Sequence, residues 1–268
     1  MSDCLNDFKS SFQKINFQIN PYPYFSINNV FEERNYQKLR ESFPANNFFG
    51  SLSDLDQNNK AILMQRNSYQ NKANDKTWEP ILDYLVSNEF FKKVTNIYSE
   101  GISKIFPNLA NLQKLKVGVL GKDTFKHKDI LLDAHFGINT PTKSETSVRP
   151  AHFDNPKVLY AGLLYVKDDD DNTIGGNFGV FKTKNKNVYV DNGRLISDEQ
   201  VDLVNQIDYV GNNLVCFLNS NKSVHGVTPK KPSSFTRRYI NFNACFSHNL
   251  FSLNPNTKLN KLKKFFFN

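Results

Sequence analysis

At Pro107 the hydrophobic period of this chain changes, and that change limits the folds open to it. Before the proline, apolar residues recur at helical spacing. After it they gather into short β-branched or aromatic runs of strand length. In residues 29–43, Tyr36, Leu39 and Phe43 share one helical face, and Pro44 stops the run. Thr77 is placed to cap a second helix that turns Trp78, Ile81, Leu82 and Leu85 inward. Ser87 is placed to cap a third, with Phe90, Val94, Ile97 and Ile105 apolar and Pro107 as its breaker. An extended stretch at residues 20–24 leads into this helical part.

Beyond Pro107 the runs 114–120, 130–139, 158–167, 177–183 and 214–219 read as strands. Turn residues divide them, among them Gly121, the aspartates 168–171, Gly175-Gly176 and Gly211. Residues 197–207 fit a helix within a strand connection as well as a strand. Many short strands with long excursions predict a mainly β fold, a sandwich or jelly roll, with the helices packed on one outer face. Leu39, Phe43, Trp78, Leu82 and Phe90 are the expected contacts between the two. The expected organisation is a helical region 1–110, a catalytic core 111–250 and a basic tail 251–268, all in one structural domain.

Composition excludes more than it selects. The 268 residues include 24 Phe and 11 Tyr, which is core material that a disordered chain lacks. No stretch approaches the roughly 18 apolar residues of a membrane span. The N-terminus has no secretory pattern, so a cytoplasmic location is expected. Cys4, Cys216 and Cys245 have no zinc-type spacing, and Cys216 and Cys245 read as buried structural thiols. A net charge of +8 raises nucleic acid as a partner. The basic residues are dispersed, however, except in the tail 258–264, so that reading is not favoured. The sequence does not set the oligomeric state.

The chemically informative stretch is Arg149-Pro-Ala-His-Phe-Asp-Asn-Pro156. Residues two apart on a strand face the same way, so His152 and Asp154 can converge on one ion while Phe153 turns aside. With a second imidazole they form the two-histidine, one-carboxylate set that suits non-haem Fe(II). A His-x-Asp pair arises easily by chance, and a strand histidine bonded to Asp154 explains it alone. The downstream context adds the specificity. His225-Gly-Val-Thr-Pro229 follows the run 214–219, and Arg237-Arg-Tyr-Ile240 opens another strand.

Taken in order, His152-Phe-Asp-Asn-Pro156, Leu163-Leu-Tyr-Val166, Gly175-Gly-Asn-Phe178, His225-Gly-Val-Thr-Pro229 and Arg238-Tyr-Ile240 resemble one family. They are similar to the 2-oxoglutarate- and Fe(II)-dependent oxygenases, in particular the prolyl-4-hydroxylase-like branch, over residues 115–246. The resemblance implies a double-stranded β-helix with His152, Asp154 and His225 as iron ligands and catalytic residues. It implies a basic residue after the distal histidine that pairs with 2-oxoglutarate, and Tyr165 as a second contact to the same carboxylate. Arg238 shares parity with Ile240, Phe242, Ala244 and Phe246. If that apolar set faces the barrel interior, Arg238 rather than Arg237 binds the cosubstrate.

The implied reaction consumes O2 and 2-oxoglutarate, releases succinate and CO2, and hydroxylates a C–H bond, with ascorbate as the candidate reductant. The retained carboxylate of Asp154 separates the chain from related halogenases. The expected substrate is peptidyl, an amino acid or a small metabolite. A non-catalytic jelly-roll binding module that keeps the motif is the alternative. His127 and His248 read as exposed, Asp133 and His135 as a strand pair, the aspartates 168–171 as a solvated turn, and Gly175-Gly176 as no phosphate loop.

Overall fold

A computed structural model of the chain describes residues 2–49, 57–64, 76–109, 111–185, 188, 190–191 and 193–253. Residues 254–268, which hold every basic residue of the tail, lie outside the described residues. Among the described residues, five helices precede most of the strands: α1 (Ser2–Ser11), α2 (Glu33–Glu41), α3 (Glu79–Leu85), α4 (Asn88–Ile97) and α5 (Ser99–Ile105). Ser87 caps α4 as its sequence predicts, its hydroxyl accepting the Phe90 N–H at 3.1 Å. Thr77 caps nothing: α3 starts two residues later, with Pro80 in its first turn, where a missing N–H costs no hydrogen bond. The predicted third helix is two, α4 and α5, with Tyr98 between them.

The strands are β1 (Asn16–Gln18), β2 (Tyr24–Ile27), β3 (Lys60–Met64), β4 (Val117–Val119), β5 (Ile130–Asn139) and β6 (Val158–Tyr165). They continue with β7 (Phe178–Thr183), β8 (Val201–Ile207), β9 (Leu214–Leu218), β10 (His225–Val227) and β11 (Arg237–Phe246). Residues 201–207 are thus a strand, not a helix. A major sheet runs β1-β2-β9-β6-β11-β5-β3, with β4 parallel to the first half of β5, and a minor sheet runs β10-β7-β8. The chain is mainly β, and its two sheets with crossing connections form a jelly roll.

The major sheet is covered on both faces. One face carries Ile130, Leu132, Ala134, Phe136 and Ile138 of β5 with Ile240, Phe242, Ala244 and Phe246 of β11. These share one apolar core with Phe8, Leu39, Trp78, Leu82 and Phe90 of the helical part. The other face presents Ala161, Tyr165, Val215, Phe217 and Tyr239 toward Phe178 and Val180 of the minor sheet. All ten residues of β5 are buried, which explains why it reads as a continuous apolar run.

Trp78 locks helices to sheet. It is fully buried, donates its indole N–H to the Leu39 carbonyl at 2.9 Å, and stands edge-on to Phe136 with centroids 5.6 Å apart. Trp78→Ala is expected to cost about 3–5 kcal/mol in denaturant unfolding, the usual loss for a large buried aromatic. A loss under about 1 kcal/mol would mean that the helical layer does not depend on this contact.

Candidate metal centre

Two histidines from distant parts of the sequence face each other as a bridge pair. The His152 N–H donates to the His225 carbonyl at 2.8 Å, and the His225 N–H returns to the His152 carbonyl at 3.1 Å. Directly opposed residues on adjacent strands send their side chains to the same face. The two rings accordingly lie with centroids 4.3 Å apart. Gly226 permits this approach, because a Cβ there would come within 2.8 Å of the Pro150 backbone. His225 opens strand β10, and segment 149–152 runs beside it.

Local hydrogen bonds orient both rings. His152 Nδ1 lies 2.8 Å from the Pro150 carbonyl, and His225 Nδ1 lies 3.0 Å from the Ser223 carbonyl. A carbonyl can only accept, so each Nδ1 carries the proton and each Nε2 presents a lone pair. Asp154, two residues beyond His152, puts Oδ1 3.6 Å from His152 Nε2 and Oδ2 3.6 Å from His225 Nε2. The three donor atoms lie within 4.8 Å of one another. Metal–nitrogen and metal–oxygen bonds of roughly 2.0–2.2 Å place ligands of one ion about 3–4 Å apart, and the two carboxylate–imidazole separations of 3.6 Å match the spacing around a first-row divalent ion. The triad is the one such group of His, Cys, Asp or Glu among the described residues.

The electrostatics favour ligation. Burial, reinforced by His152 alongside, pushes the His225 imidazole down to about 4, so it is neutral at pH 7. Burial alone would raise the Asp154 carboxyl. In the acid range where it titrates, the imidazolium charges of His225 and His152, the hydrogen bond from His152 and the Arg149 guanidinium outweigh burial and hold the group well below the usual carboxylate range. Phe217 and Phe178 pack on the His225 ring at centroid distances of 4.2 and 5.5 Å, which limits its rotation.

A cavity of about 360 Å³ opens from the triad between the sheets. Arg237, not Arg238, lines it. Arg237 is buried, donating Nε–H to the Gly176 carbonyl at 2.8 Å, Nη1 to Asn139 Oδ1 at 3.0 Å and Nη2 to the Tyr165 hydroxyl at 3.1 Å. Tyr165, Tyr209 and Tyr239 surround its guanidinium at 4.9–5.1 Å. Arg238 turns to the opposite face, where it pairs with Asp168 at 2.5 Å and covers the Phe43 ring. The expectation that Arg238 faces inward is therefore overturned. Its parity with Ile240 and Phe242 holds, but that apolar face of β11 is the outer one, under the helices. The inner face carries Tyr239 and Asn241, which share Arg237's parity and line the cavity with it.

Gly175 and Gly176 belong to this support. Both have positive φ, at 82° and 72°, and a Cβ on Gly175 would lie 1.9 Å from the Pro229 carbonyl oxygen. The turn they make delivers the carbonyl that fixes Arg237.

Cys216 is fully buried and burial raises its thiol, whereas Cys245 is only half-buried. His127 and His248 are exposed. Asp133 and His135 pair at 2.9 Å and gather no third ligand among the described residues. The aspartate turn is not simply solvated, because Asp168 pairs with Arg238, Asp169 with Arg40, and Asp171 is buried. Sequence reasoning missed Lys60, Arg149 and Arg194 as cavity residues. Only Arg149 had a legible signal, its place three residues before His152.

No protein-family model matches this sequence, and no curated protein matches it. Solved structures do. A prolyl 4-hydroxylase from Phytophthora capsici aligns over 99% of this chain and 73% of its own, at 15% identity and a TM-score of 0.50. A Pseudomonas putida prolyl-4-hydroxylase aligns over 91% of this chain and 100% of its own, at 10% identity and a TM-score of 0.42. HygX from Streptomyces hygroscopicus, solved with nickel and 2-oxoglutarate bound, aligns over 90% of this chain and 87% of its own, at 10% identity and a TM-score of 0.42. Fold and site together define a jelly-roll protein with a two-histidine, one-carboxylate cluster between its sheets. Its fold is that of the Phytophthora capsici prolyl 4-hydroxylase.

Proposed function

We propose that this chain is a 2-oxoglutarate- and Fe(II)-dependent dioxygenase that hydroxylates a C–H bond of a peptidyl, amino-acid or small-metabolite substrate. The reading is carried by one observation: two imidazole Nε2 atoms and one carboxylate converge at a cavity that also contains a buried, oriented guanidinium. Fold alone would not support it, since a jelly roll hosts many activities.

In this reading His152, Asp154 and His225 would hold the iron, a donor set that leaves room on the ion for cosubstrate and O2. Iron so held supplies the activation of O2 that the protein's own side chains cannot. Arg237 binds the distal carboxylate of 2-oxoglutarate. Of its five N–H groups, three are spent on Gly176, Asn139 and Tyr165, and two remain for a forked contact. Tyr165 then acts by positioning Arg237, since its hydroxyl accepts from that guanidinium. Phe178, Phe217 and Leu163 keep the cavity wall apolar and exclude water beside the triad. The helices within residues 1–110 back the core of residues 111–250 within one domain, and β1, β2 and β3 of the same segment extend the core's major sheet. No described helix is long and apolar enough to cross a membrane.

Purified protein supplied with Fe(II), ascorbate, O2 and 2-oxoglutarate is expected to form succinate, and a chelator is expected to stop it. Calorimetry should show 2-oxoglutarate binding when manganese(II) is present and at least about tenfold weaker binding when it is absent. Absence of both metal-dependent binding and succinate would leave the binding-module alternative in its place.

A further inference from the structure

The cavity carries more positive charge than iron and 2-oxoglutarate can use. Lys60 of β3, Arg149 ahead of the triad, Arg194 of the connection between β7 and β8, and Arg237 all line it. Asp154 is the one acidic side chain in the lining among the described residues. A divalent ion and a dicarboxylate cancel in formal charge, so four cations against one carboxylate leave three positive charges. Like charges gathered in a low-dielectric cleft repel one another by an amount that only a bound anion or water relieves.

Nearby acids do not neutralise the three remaining cations. Arg149 and Lys60 make no side-chain hydrogen bond or ion pair among the described residues, and Arg194 makes one, from Nε to the Phe153 carbonyl at 3.2 Å. Asp191 lies within electrostatic reach of Arg149, and Asp133 within reach of Lys60. The Asp191 carboxylate already accepts the Leu195 N–H at 2.7 Å, and the Asp133 carboxylate is held by His135 at 2.9 Å. Asp154 also attracts Arg149, but that charge is committed once a metal is bound. The positions differ in exposure: Arg149 and Arg194 are half-buried, and Lys60 is exposed.

Resting on the dioxygenase reading, we propose that the substrate of this cavity is a small molecule bearing an oxyanion, a carboxylate or a phosphate monoester, held chiefly by Arg149. Arg149 is the half-buried fork that has no side-chain partner among the described residues, and its planar donors match a carboxylate or phosphate edge. Arg194 flanks it, and Lys60 attracts the anion at the entrance.

Calorimetric titrations into protein held with manganese(II) and saturating 2-oxoglutarate test this. The probes are a set of N-acetyl-L-amino acids, the matching neutral N-acetyl-L-amino acid amides, and N-acetyl-O-phospho-L-serinamide. At least one acid or the phosphorylated amide is expected to bind at least about tenfold more tightly than its neutral match. Arg149→Gln should erase that preference while 2-oxoglutarate affinity stays within about twofold, and raised salt should weaken it. Preference for acids alone assigns the subsite to carboxylates; preference for the phosphorylated probe alone assigns it to phosphates. Equal binding of charged and neutral probes, or an Arg149→Gln protein with undiminished preference, overturns the proposal. If the wild type fails to bind 2-oxoglutarate at all, the dioxygenase reading fails instead.

Discussion

Asp154→Ala is expected to abolish metal-dependent succinate formation and to weaken divalent-metal binding by more than about 100-fold. The reference for that magnitude is the roughly 10–100-fold loss that follows removal of a group outside the coordination shell. Asp154 is nearer than that: it contributes the only negative charge among the three donors and bridges two imidazoles at 3.6 Å each. Two neutral imidazoles remain in the variant, a set that still binds metal weakly but no longer offsets its charge. Titration with manganese(II) followed by calorimetry separates the metal effect from any effect on turnover. Circular dichroism should be unchanged, because Asp154 is half-buried and anchors no strand. His248→Ala, an exposed position distant in role, is the matched control and should retain wild-type metal affinity. Succinate formation equal to wild type in the Asp154 variant would show that metal is not held by this triad.

The ease of reading this chain tracked how local each constraint is. Strands β5, β6, β7, β9 and β11 were legible because their burial on one or both faces forces apolar runs at strand length. Strand β8 was not, since only Val201 of its seven residues is buried and an exposed strand leaves no hydrophobic period to follow. Strands β1 and β3 failed too: all three residues of β1 are exposed and leave no apolar period, and β3 is a sheet edge whose partner β5 lies far away in sequence. The triad was legible because His152 and Asp154 sit two apart and His225 falls in an ordered motif. The mutual bridge between His152 and His225 has no sequence signal, as it joins residues 73 positions apart. The cations of the cavity are of the same kind. Lys60, Arg149 and Arg194 come from three segments, and only folding shows that they share a space.

Arg237→Ala is expected to weaken 2-oxoglutarate binding by about 30- to 1,000-fold, and Arg238→Ala by less than about threefold. The larger figure corresponds to roughly 2–4 kcal/mol, the usual loss when one partner of a buried, hydrogen-bonded charge pair is truncated. The contrast follows from where alternate residues of β11 point. Arg237 stands opposite Asn139 in the inter-sheet cavity, and its guanidinium is fixed by three acceptors before any ligand arrives. That fixation lowers the entropy lost on binding, because the donors are already aimed. Arg238 is committed to Asp168 on the helical side, a partly exposed pair whose loss belongs to stability and is small. Removing Arg237 also takes one buried hydrogen bond from each of Asn139, Gly176 and Tyr165, so the Ala variant alone would confound binding with unfolding. Arg237→Lys separates the two. It keeps the charge but not the fork, so it should fold with near-native stability, bind metal as wild type does, and lose most of the cosubstrate affinity. Metal should remain bound in all three variants, since the triad stands apart from β11. If Arg238→Ala instead carries the loss while both Arg237 variants bind 2-oxoglutarate normally, the cosubstrate does not occupy the cavity that the triad opens into.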